Sequence, residues 1–250
     1  MSFKLASNNN ENIQYYIIES FQKSNKVEHL FSTRIGWDNE NFSKQISKIF
    51  DVEEDNIVFS KQVHGTNIGY VQNIEEYKNK VYPKGVDGLI TDRKDIVLVT
   101  YYADCVPLFF LDIEKEVIAL AHSGWKGTVK NIGGKMVDLM VGKFNSAPEN
   151  ILVGIGPSIG SCCYEVGKDV YDEFKERHPF YKQLFIPIKD NKFYLDLWKA
   201  NKTLLEDKDI PSENITVSNI CTSCNNQKLY SYRKENGTKN RMISAIKLKG

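Results

Sequence analysis

Three apolar runs follow one another closely in the middle of the chain, and they constrain its fold more than any other feature. They cover residues 96–101, 107–112 and 117–121, and their valine, tyrosine and phenylalanine content is typical of buried strands. We expect them to form the middle of a sheet. Because no helix separates them, they argue against a plain doubly wound parallel sheet, in which strands and helices alternate.

Further runs of β-branched and aromatic residues predict strands on both sides of this region. They lie at residues 13–19, 28–33, 57–60, 67–71, 151–155, 215–220 and 242–248. Apolar side chains at helical spacing predict helices at residues 42–50 and 128–144, around Val170 and Phe174, and after Asp196, a residue type that caps helices. The predicted fold class is α/β of the mixed α+β kind, a layered sandwich of mixed sheets flanked by helices. We expect one catalytic domain over residues 1–250, with residues 1–12 as a loose segment.

Charge and cysteine usage narrow the range of partners and compartments. Lysine and arginine number 33 against 32 acidic residues, so no excess charge favours nucleic acid or an anionic membrane. Asp104 interrupts the longest apolar run, residues 96–111, which is shorter than the ~18 residues of a membrane span. The start of the sequence has no apolar signal region. Five irregularly spaced cysteines make a poor disulfide framework, so we expect reduced thiols and a cytoplasmic protein.

Two of the four histidines and one cysteine stand at the ends of apolar strands, where binding groups are commonly presented. His64 lies in the segment QVHG, Cys105 in ADC and His122 in AHSGW. Two imidazoles and a thiolate suit Zn²⁺, and three protein ligands leave one position open. No local metal motif has this spacing, so hydrogen-bonded core histidines and a small buried cysteine remain the alternative. Asp104 and Gln62 are candidates to orient the ligands.

Six segments in order carry a resemblance to a known family. They are QVHGT, DGLIT, YADCVPLFF, AHSGWKGT, GPSIGSCCYEVG and YSYRKENGTKNR. Together they resemble the YfiH/laccase-domain-containing family across residues 17–246. The resemblance implies a YfiH/CNF1-like layered sandwich and a metal, zinc or alternatively copper, bound by His64, Cys105 and His122. Lys126 and Lys234 stand where the family more often has arginine, so the charge is kept but the bidentate anion contact of a guanidinium is absent there.

The resemblance also implies an activity on purine nucleosides with phosphate as the second substrate. Phosphorolysis of adenosine, inosine, guanosine or methylthioadenosine would release the free base, and adenosine would also be deaminated to inosine. The expected catalytic residues are Asp104, Cys105 and His122. A basic clamp and nearby polar groups should bind nucleoside and phosphate. Its candidate members are Arg34, Gln62, Asp87, Arg233 and Arg241.

Three other functions remain open on the sequence. A copper-dependent polyphenol oxidase would use the same His₂Cys ligands, and a cysteine hydrolase would use Cys105 as nucleophile with His122 as base. A non-enzymatic protein could bind partners around a structural zinc. Cys221 and Cys224 form a single CxxC motif, which a redox or metal pair would use, but without a second pair the signal is weak and we interpret it as incidental. The adjacent Cys162 and Cys163 are interpreted as structural.

Overall fold

The computed structural model describes residues 2–8, 12–77 and 81–250. Its strands are β1 (Phe3–Asn8), β2 (Ile13–Ile18), β3 (Val27–Ser32), β4 (Ile57–Lys61), β5 (Ile68–Tyr70), β6 (Val81–Gly85), β7 (Gly88–Thr91), β8 (Val97–Tyr102), β9 (Val106–Asp112), β10 (Val117–Ser123), β11 (Ile151–Ile155), β12 (Glu165–Val166), β13 (Phe185–Pro187), β14 (Phe193–Leu195), β15 (Ile215–Val217) and β16 (Met242–Leu248). Its α-helices are α1 (Glu19–Ser24), α2 (Phe42–Phe50), α3 (Trp125–Val129), α4 (Ile132–Phe144), α5 (Lys168–Arg177) and α6 (Leu197–Glu206). Short 3-10 helices cover Glu54–Asn56, Ile74–Tyr77, Pro148–Asn150, Tyr181–Leu184 and Ser212–Asn214.

Two large mixed sheets and one small antiparallel sheet organise these strands. The first sheet has the order β1-β2-β3-β16-β8-β4-β6 and is antiparallel except where β4 runs parallel to β8 and β6. The second has the order β15-β11-β9-β10-β7-β5, with parallel pairs at both ends. The small sheet is β12-β14-β13. Mixed pairing of this kind confirms the predicted fold class.

Alternating side chains on the two large sheets build a core of three apolar layers. The first sheet packs one face on α2, and its other face meets the second sheet; the outer face of the second sheet packs on α4 and α6. Leu98, Tyr102, Phe109, Leu111, Ile118 and Leu120 are among the buried residues between the sheets. The result is the layered sandwich flanked by helices that the sequence predicted. Among the described residues, no helix has the length and apolar character needed to cross a bilayer.

The three central strands do not share one sheet, which corrects the sequence prediction. β8 belongs to the first sheet, whereas β9 and β10 belong to the second. The chain changes sheets in the turn that contains Asp104, whose φ of 86° lies in the left-handed region. A continuous apolar run indicates that a strand is buried on both faces, but it does not indicate which other strand pairs with it. The crossing places Cys105 at the junction of the two sheets.

The N-terminal prediction was wrong for residues 3–8. They form β1, which pairs antiparallel with β2 from Phe3 opposite Ile18 to Asn8 opposite Ile13. Residues 9–11 of the predicted loose segment lie outside the described residues. That residues 1–250 make one catalytic domain stays a prediction.

The predicted helix at residues 128–144 is two helices. Asn131 adopts a left-handed φ of 56° between α3 and α4, and its side chain accepts a hydrogen bond from the Gly134 N–H at 2.8 Å. An asparagine in this position both tolerates the left-handed conformation and caps the new helix. The Asp196 cap is confirmed, since its carboxylate accepts from the Lys199 N–H at 2.9 Å.

The packing between the sheets predicts a large effect of Phe109→Ala. Phe109 is fully buried and lies edge-on to Phe21, with ring centroids 6.5 Å apart. Losing the ring should lower the free energy of unfolding by about 3–5 kcal/mol, measured by urea denaturation. The control is Val141→Ala on the exposed face of α4, 40% exposed, which should change it by no more than about 0.5 kcal/mol. Equal effects of the two variants would contradict this description of the core.

Candidate metal centre

Three segments distant in sequence bring His64, Cys105 and His122 together. His64 lies in the loop between β4 and β5, Cys105 in the turn before β9, and His122 near the end of β10. Their candidate ligand atoms all lie within 4.8 Å of one another. The two imidazole rings stand nearly perpendicular, with centroids 4.9 Å apart. The structure therefore brings together all three side chains that the sequence predicted as ligands.

A fully buried carboxylate, Asp87, holds two of these ligands in place. It accepts hydrogen bonds from the backbone N–H groups of Val63, His64 and Gly65 at 3.2, 2.9 and 2.7 Å. These bonds stabilise the left-handed φ of 57° that His64 adopts. Asp87 Oδ1 also lies 3.0 Å from His122 Nδ1. Because a carboxylate accepts, His122 carries a proton on Nδ1, and Nε2 is the nitrogen that a metal ion would bind.

The electrostatics favour a charged pair, a Cys105 thiolate beside a protonated His122, and a metal ion would take the place of the His122 Nε2 proton. Burial raises the pKa of the Cys105 thiol, but the charge and hydrogen bonds of His122 and His64 outweigh burial and bring that pKa to about 6. Burial lowers the pKa of His122, but Cys105 and Asp87 outweigh it and raise that pKa to about 9. Burial also raises the pKa of Asp87, yet hydrogen bonds from His122 and the loop N–H groups bring it below its usual value. Cys105 is thus a thiolate at neutral pH, the form that binds metals.

The space around the three side chains fits a metal ion. Gly124 follows β10 directly, and a Cβ there would lie 3.0 Å from Cys105 Sγ and 3.5 Å from His64 Cδ2. A glycine therefore leaves room beside the donors that any larger residue would take. One thiolate and two imidazoles suit Zn²⁺ or Cu²⁺. Three donors leave a coordination position for a substrate or a water.

The three side chains line a cavity of about 880 Å³ that also carries aromatic and cationic groups. The aromatic side chains are Tyr101, Trp125, Tyr164 and Tyr232, and the cationic ones are Lys126, Arg233 and Arg241. Arg233 lies over the Tyr164 ring, 5.3 Å from its centroid, and donates from Nη1 to the Glu165 carbonyl at 2.9 Å. The cavity thus combines flat apolar surfaces with positive charge beside the candidate metal centre.

Gln62 and Asp104 line this cavity, but their polar atoms are occupied by the protein itself. Gln62 donates to the Tyr101 carbonyl and accepts from the Tyr101 N–H, both at 2.8 Å, like one further step of a strand ladder. Asp104 accepts from the Thr222 hydroxyl at 2.6 Å and from the Arg233 N–H at 2.7 Å. Both side chains fix the turns that carry the ligands.

Two of the predicted substrate residues lie away from the described cavity wall. Arg34 donates from Nη1 to the Asn226 carbonyl at 2.8 Å and to Glu235 at 3.2 Å, and its guanidinium stacks over Tyr230. Asp87 is not part of the cavity wall, and its carboxylate contacts the ligand residues His64 and His122 instead. By contrast, Arg241 does line the cavity, with Nη1 donating to the Thr238 and Asn240 carbonyls.

Sequence reasoning missed the cavity roles of Tyr101, Tyr164 and Lys126. Tyr101 ends a strand that reads only as apolar, and Tyr164 follows the cysteine pair in GPSIGSCCYEVG. Lys126 lies two residues after Gly124, in the motif that contains the ligand His122. This position in the motif is the one sequence signal for a cavity role of Lys126. The other two have no local signal, because a tyrosine at a strand end is as common in a core as in a pocket.

Comparisons with known proteins give one matching family model, related enzymes and a similar solved structure. Residues 38–249 match a family model described as multi-copper polyphenol oxidoreductase laccase. A purine nucleoside phosphorylase, YlmD of Bacillus subtilis, is 35% identical over 210 residues, covering 82% of this chain and 75% of the relative. Adenosine deaminase RL5, from an unknown prokaryotic organism, is 30% identical over 190 residues, covering 73% and 71%. The crystal structure of the hypothetical protein YfiH from Bacillus licheniformis matches with a TM-score of 0.87, 30% identity and 99% coverage of both chains.

The geometry predicts that Asp87→Asn weakens metal binding without removing a ligand. An asparagine turns an amide NH₂ towards donors that now meet a carboxylate, so the His64 loop and the His122 ring lose their orientation. We expect zinc affinity at this site to fall by about 10–100-fold, measured by competition with a chromophoric chelator. The control is Asp95→Asn, a surface carboxylate that pairs with Arg93. Equal zinc affinity of wild type and Asp87→Asn would contradict the assigned role.

Proposed function

The chain belongs to the family described as multi-copper polyphenol oxidoreductase laccase, and we propose that within it this protein is a zinc-dependent purine nucleoside enzyme. It would convert adenosine, inosine, guanosine or methylthioadenosine and phosphate into the free base and ribose 1-phosphate or its methylthio form. It would also deaminate adenosine to inosine. Both activities appear in the names of its relatives, purine nucleoside phosphorylase and adenosine deaminase.

The observation that carries the proposal is the three-donor His–Cys–His site on the wall of a cavity with aromatic and cationic side chains. A closed structural zinc site uses four protein ligands, whereas an open position is characteristic of catalytic sites. A purine nucleoside presents a flat base and a polar sugar, which match the rings and the hydroxyl groups of the cavity tyrosines. Phosphate matches the cations.

The two reactions place different demands on the cavity. In phosphorolysis the glycosidic C–N bond breaks and a phosphate oxygen bonds to the anomeric carbon, so phosphate must lie below the sugar. Arg233, Lys126 and Arg241 are the cavity cations able to bind it. In deamination a water adds to C6 of adenine and ammonia leaves. The chemistry that zinc supplies when bound in such a site is Lewis acidity towards an oxygen nucleophile.

The proposal assigns separate roles to the predicted catalytic residues. Cys105 and His122 act as metal ligands together with His64, and Asp87 keeps the His122 proton on Nδ1. Asp104 becomes a positioning residue, because Thr222 and the Arg233 N–H already occupy its carboxylate oxygens. Gln62 likewise positions the His64 loop through Tyr101.

Copper-dependent polyphenol oxidation is the second candidate, favoured by the description of the family model. Cu²⁺ binds more tightly than Zn²⁺ to most nitrogen and sulfur sites. A multi-copper centre needs many histidines, and the chain has four. Within the described residues, His29 accepts from the Ile18 N–H at 2.7 Å and His178 lies 2.9 Å from the Val129 carbonyl, so neither joins the site. These ligands support at most one copper in the His64 site.

A cysteine hydrolase is the third candidate, because His122 lies between Cys105 and Asp87, as the base does in a Cys–His–Asp triad. The second imidazole distinguishes the two interpretations. His64 serves no purpose in a triad that already has its base, whereas a metal site needs it as the third donor. Zinc bound to Cys105 would also prevent nucleophilic attack by the thiolate.

Incubation of zinc-quantified protein with adenosine, with and without phosphate, tests the proposal. We expect adenine only when phosphate is present and inosine in either case, both resolved by chromatography. Cys105→Ala should lower both rates by at least about 100-fold, since a Lewis acid contributes several kcal/mol. A folded, zinc-loaded protein that forms neither product would refute the purine proposal. Phenol oxidation by the copper-loaded protein would then favour the second candidate.

Arg233→Ala tests the phosphate site separately. The exchange removes the guanidinium but keeps the backbone N–H that donates to Asp104. We expect the KM for phosphate in phosphorolysis to rise by about 10-fold or more, since a charge-assisted contact contributes roughly 1.5–3 kcal/mol, and deamination to change far less. Arg177→Ala is the matched control on the exposed face of α5, paired only with Glu173 in the described structure. A KM equal to that of wild type would remove Arg233 from the phosphate site.

A further inference from the structure

The four cysteines outside the His64 site lie together in a second cluster. Cys162 and Cys163 follow β11, and Cys221 and Cys224 lie in the loop between β15 and β16. Their four Sγ atoms all lie within 4.8 Å of one another. Cys224 Sγ is 3.6 Å from Cys162 Sγ and 3.5 Å from Cys163 Sγ. Residues some 60 positions apart therefore converge at one point, although in the sequence neither pair gave more than a weak signal for a metal.

We propose that these cysteines form a second metal site, a closed tetrathiolate that binds Zn²⁺ and joins the two loops. In a tetrahedral site with Zn–S bonds of about 2.3 Å, neighbouring sulfurs lie about 3.8 Å apart. The Cys224–Cys162 and Cys224–Cys163 separations fall within a few tenths of an ångström of that value. The site shares no ligand with the His64 centre. With four protein donors it has no open position and is structural rather than catalytic.

The geometry favours a single metal over a disulfide. A disulfide joins one pair of sulfurs at about 2.05 Å and does not require the other two cysteines nearby. Here Cys224 is equally close to both Cys162 and Cys163, and Cys221 completes the group. An iron–sulfur cluster of several irons holds its thiolates on different irons and needs a wider arrangement. Four mutually close sulfurs match one tetrahedral ion.

The surrounding backbone supports bound thiolates and keeps the loops in register. The Gly160 N–H donates to Cys221 Sγ at 3.3 Å, which stabilises negative charge on that sulfur. The Thr222 N–H donates to the Ser158 carbonyl at 3.0 Å, and the Ser158 N–H donates to the Ile220 carbonyl at 3.2 Å. Cys162 and Cys224 are exposed, so an ion can reach the site from solvent.

The position of the cluster indicates what the ion would stabilise. Thr222, next to Cys221, donates to the Asp104 carboxylate at 2.6 Å, and the Ile159 N–H donates to the Asp104 carbonyl at 2.9 Å. Both joined loops therefore hold the residue that precedes Cys105. Tyr164, just after Cys163, lines the main cavity. A tetrathiolate zinc would thus fix the part of the cavity wall that carries Asp104 and Tyr164.

Zinc content per chain tests this proposal independently of activity. Protein reduced, reconstituted with zinc and desalted should contain about two zinc ions, one per site, by mass spectrometry. Cys162→Ser/Cys224→Ser and Cys105→Ala should each contain about one, by removing different sites. Ser161→Ala, within the same loop but without a thiol, is the control and should keep about two. Cobalt-loaded Cys105→Ala should show intense sulfur-to-metal absorption, since its remaining site is all thiolate.

A thiol count separates the alternatives. The denatured protein with chelator should release all five thiols of the chain if the cluster binds metal. Three thiols, two fewer because one disulfide has formed, would overturn the proposal, as would one zinc in wild type and none in Cys105→Ala. If the double variant does not fold, the zinc content and cobalt spectrum of Cys105→Ala still decide the outcome. Loss of nucleoside turnover with both zinc ions present would concern the proposed function alone.

Discussion

The buried carboxylate of Asp87 is the interaction on which the candidate centre depends. A charge with no access to water is costly unless donors surround it, and here Val63, His64, Gly65 and His122 all donate to it. Its backbone takes part as well, because the His122 N–H donates to the Asp87 carbonyl at 2.7 Å. One residue thereby satisfies its own charge, holds a left-handed loop and sets the tautomer of a ligand.

A second carboxylate, Asp104, positions the third ligand, Cys105. Its left-handed backbone turns the chain from the first sheet into the second, and its side chain binds the loops that carry Thr222 and Arg233. Cys105 then emerges where the two sheets meet. The cavity forms at this junction because two sheets packed face to face must separate at their ends, where loops replace the apolar layer.

The two thiol-containing sites differ in the number of donors, and that difference is chemically meaningful. Three donors on a cavity wall suit an ion that takes part in a reaction, whereas four donors in a closed group suit an ion that joins loops. Among the described residues, the two histidines outside the His64 centre do not form a further metal site, because His29 and His178 each contact a backbone group instead. The described histidines therefore supply imidazole donors for one metal ion, fewer than a multi-copper centre needs.

The sequence by itself determined the buried strands, most helices and the Asp196 cap, and its resemblance to a known family indicated the three residues of the candidate centre. Periodicity and residue type report whether a segment is buried and what a side chain can bind, because both depend on local chemistry. Only the tertiary structure decided that β8 and β9 lie in different sheets, that Gln62 and Asp104 are occupied by backbone and loop donors, and that Arg34 turns away. It also decided that two unremarkable cysteine pairs form one cluster. Distances between segments far apart in sequence arise from packing the whole chain, and no local spacing encodes them.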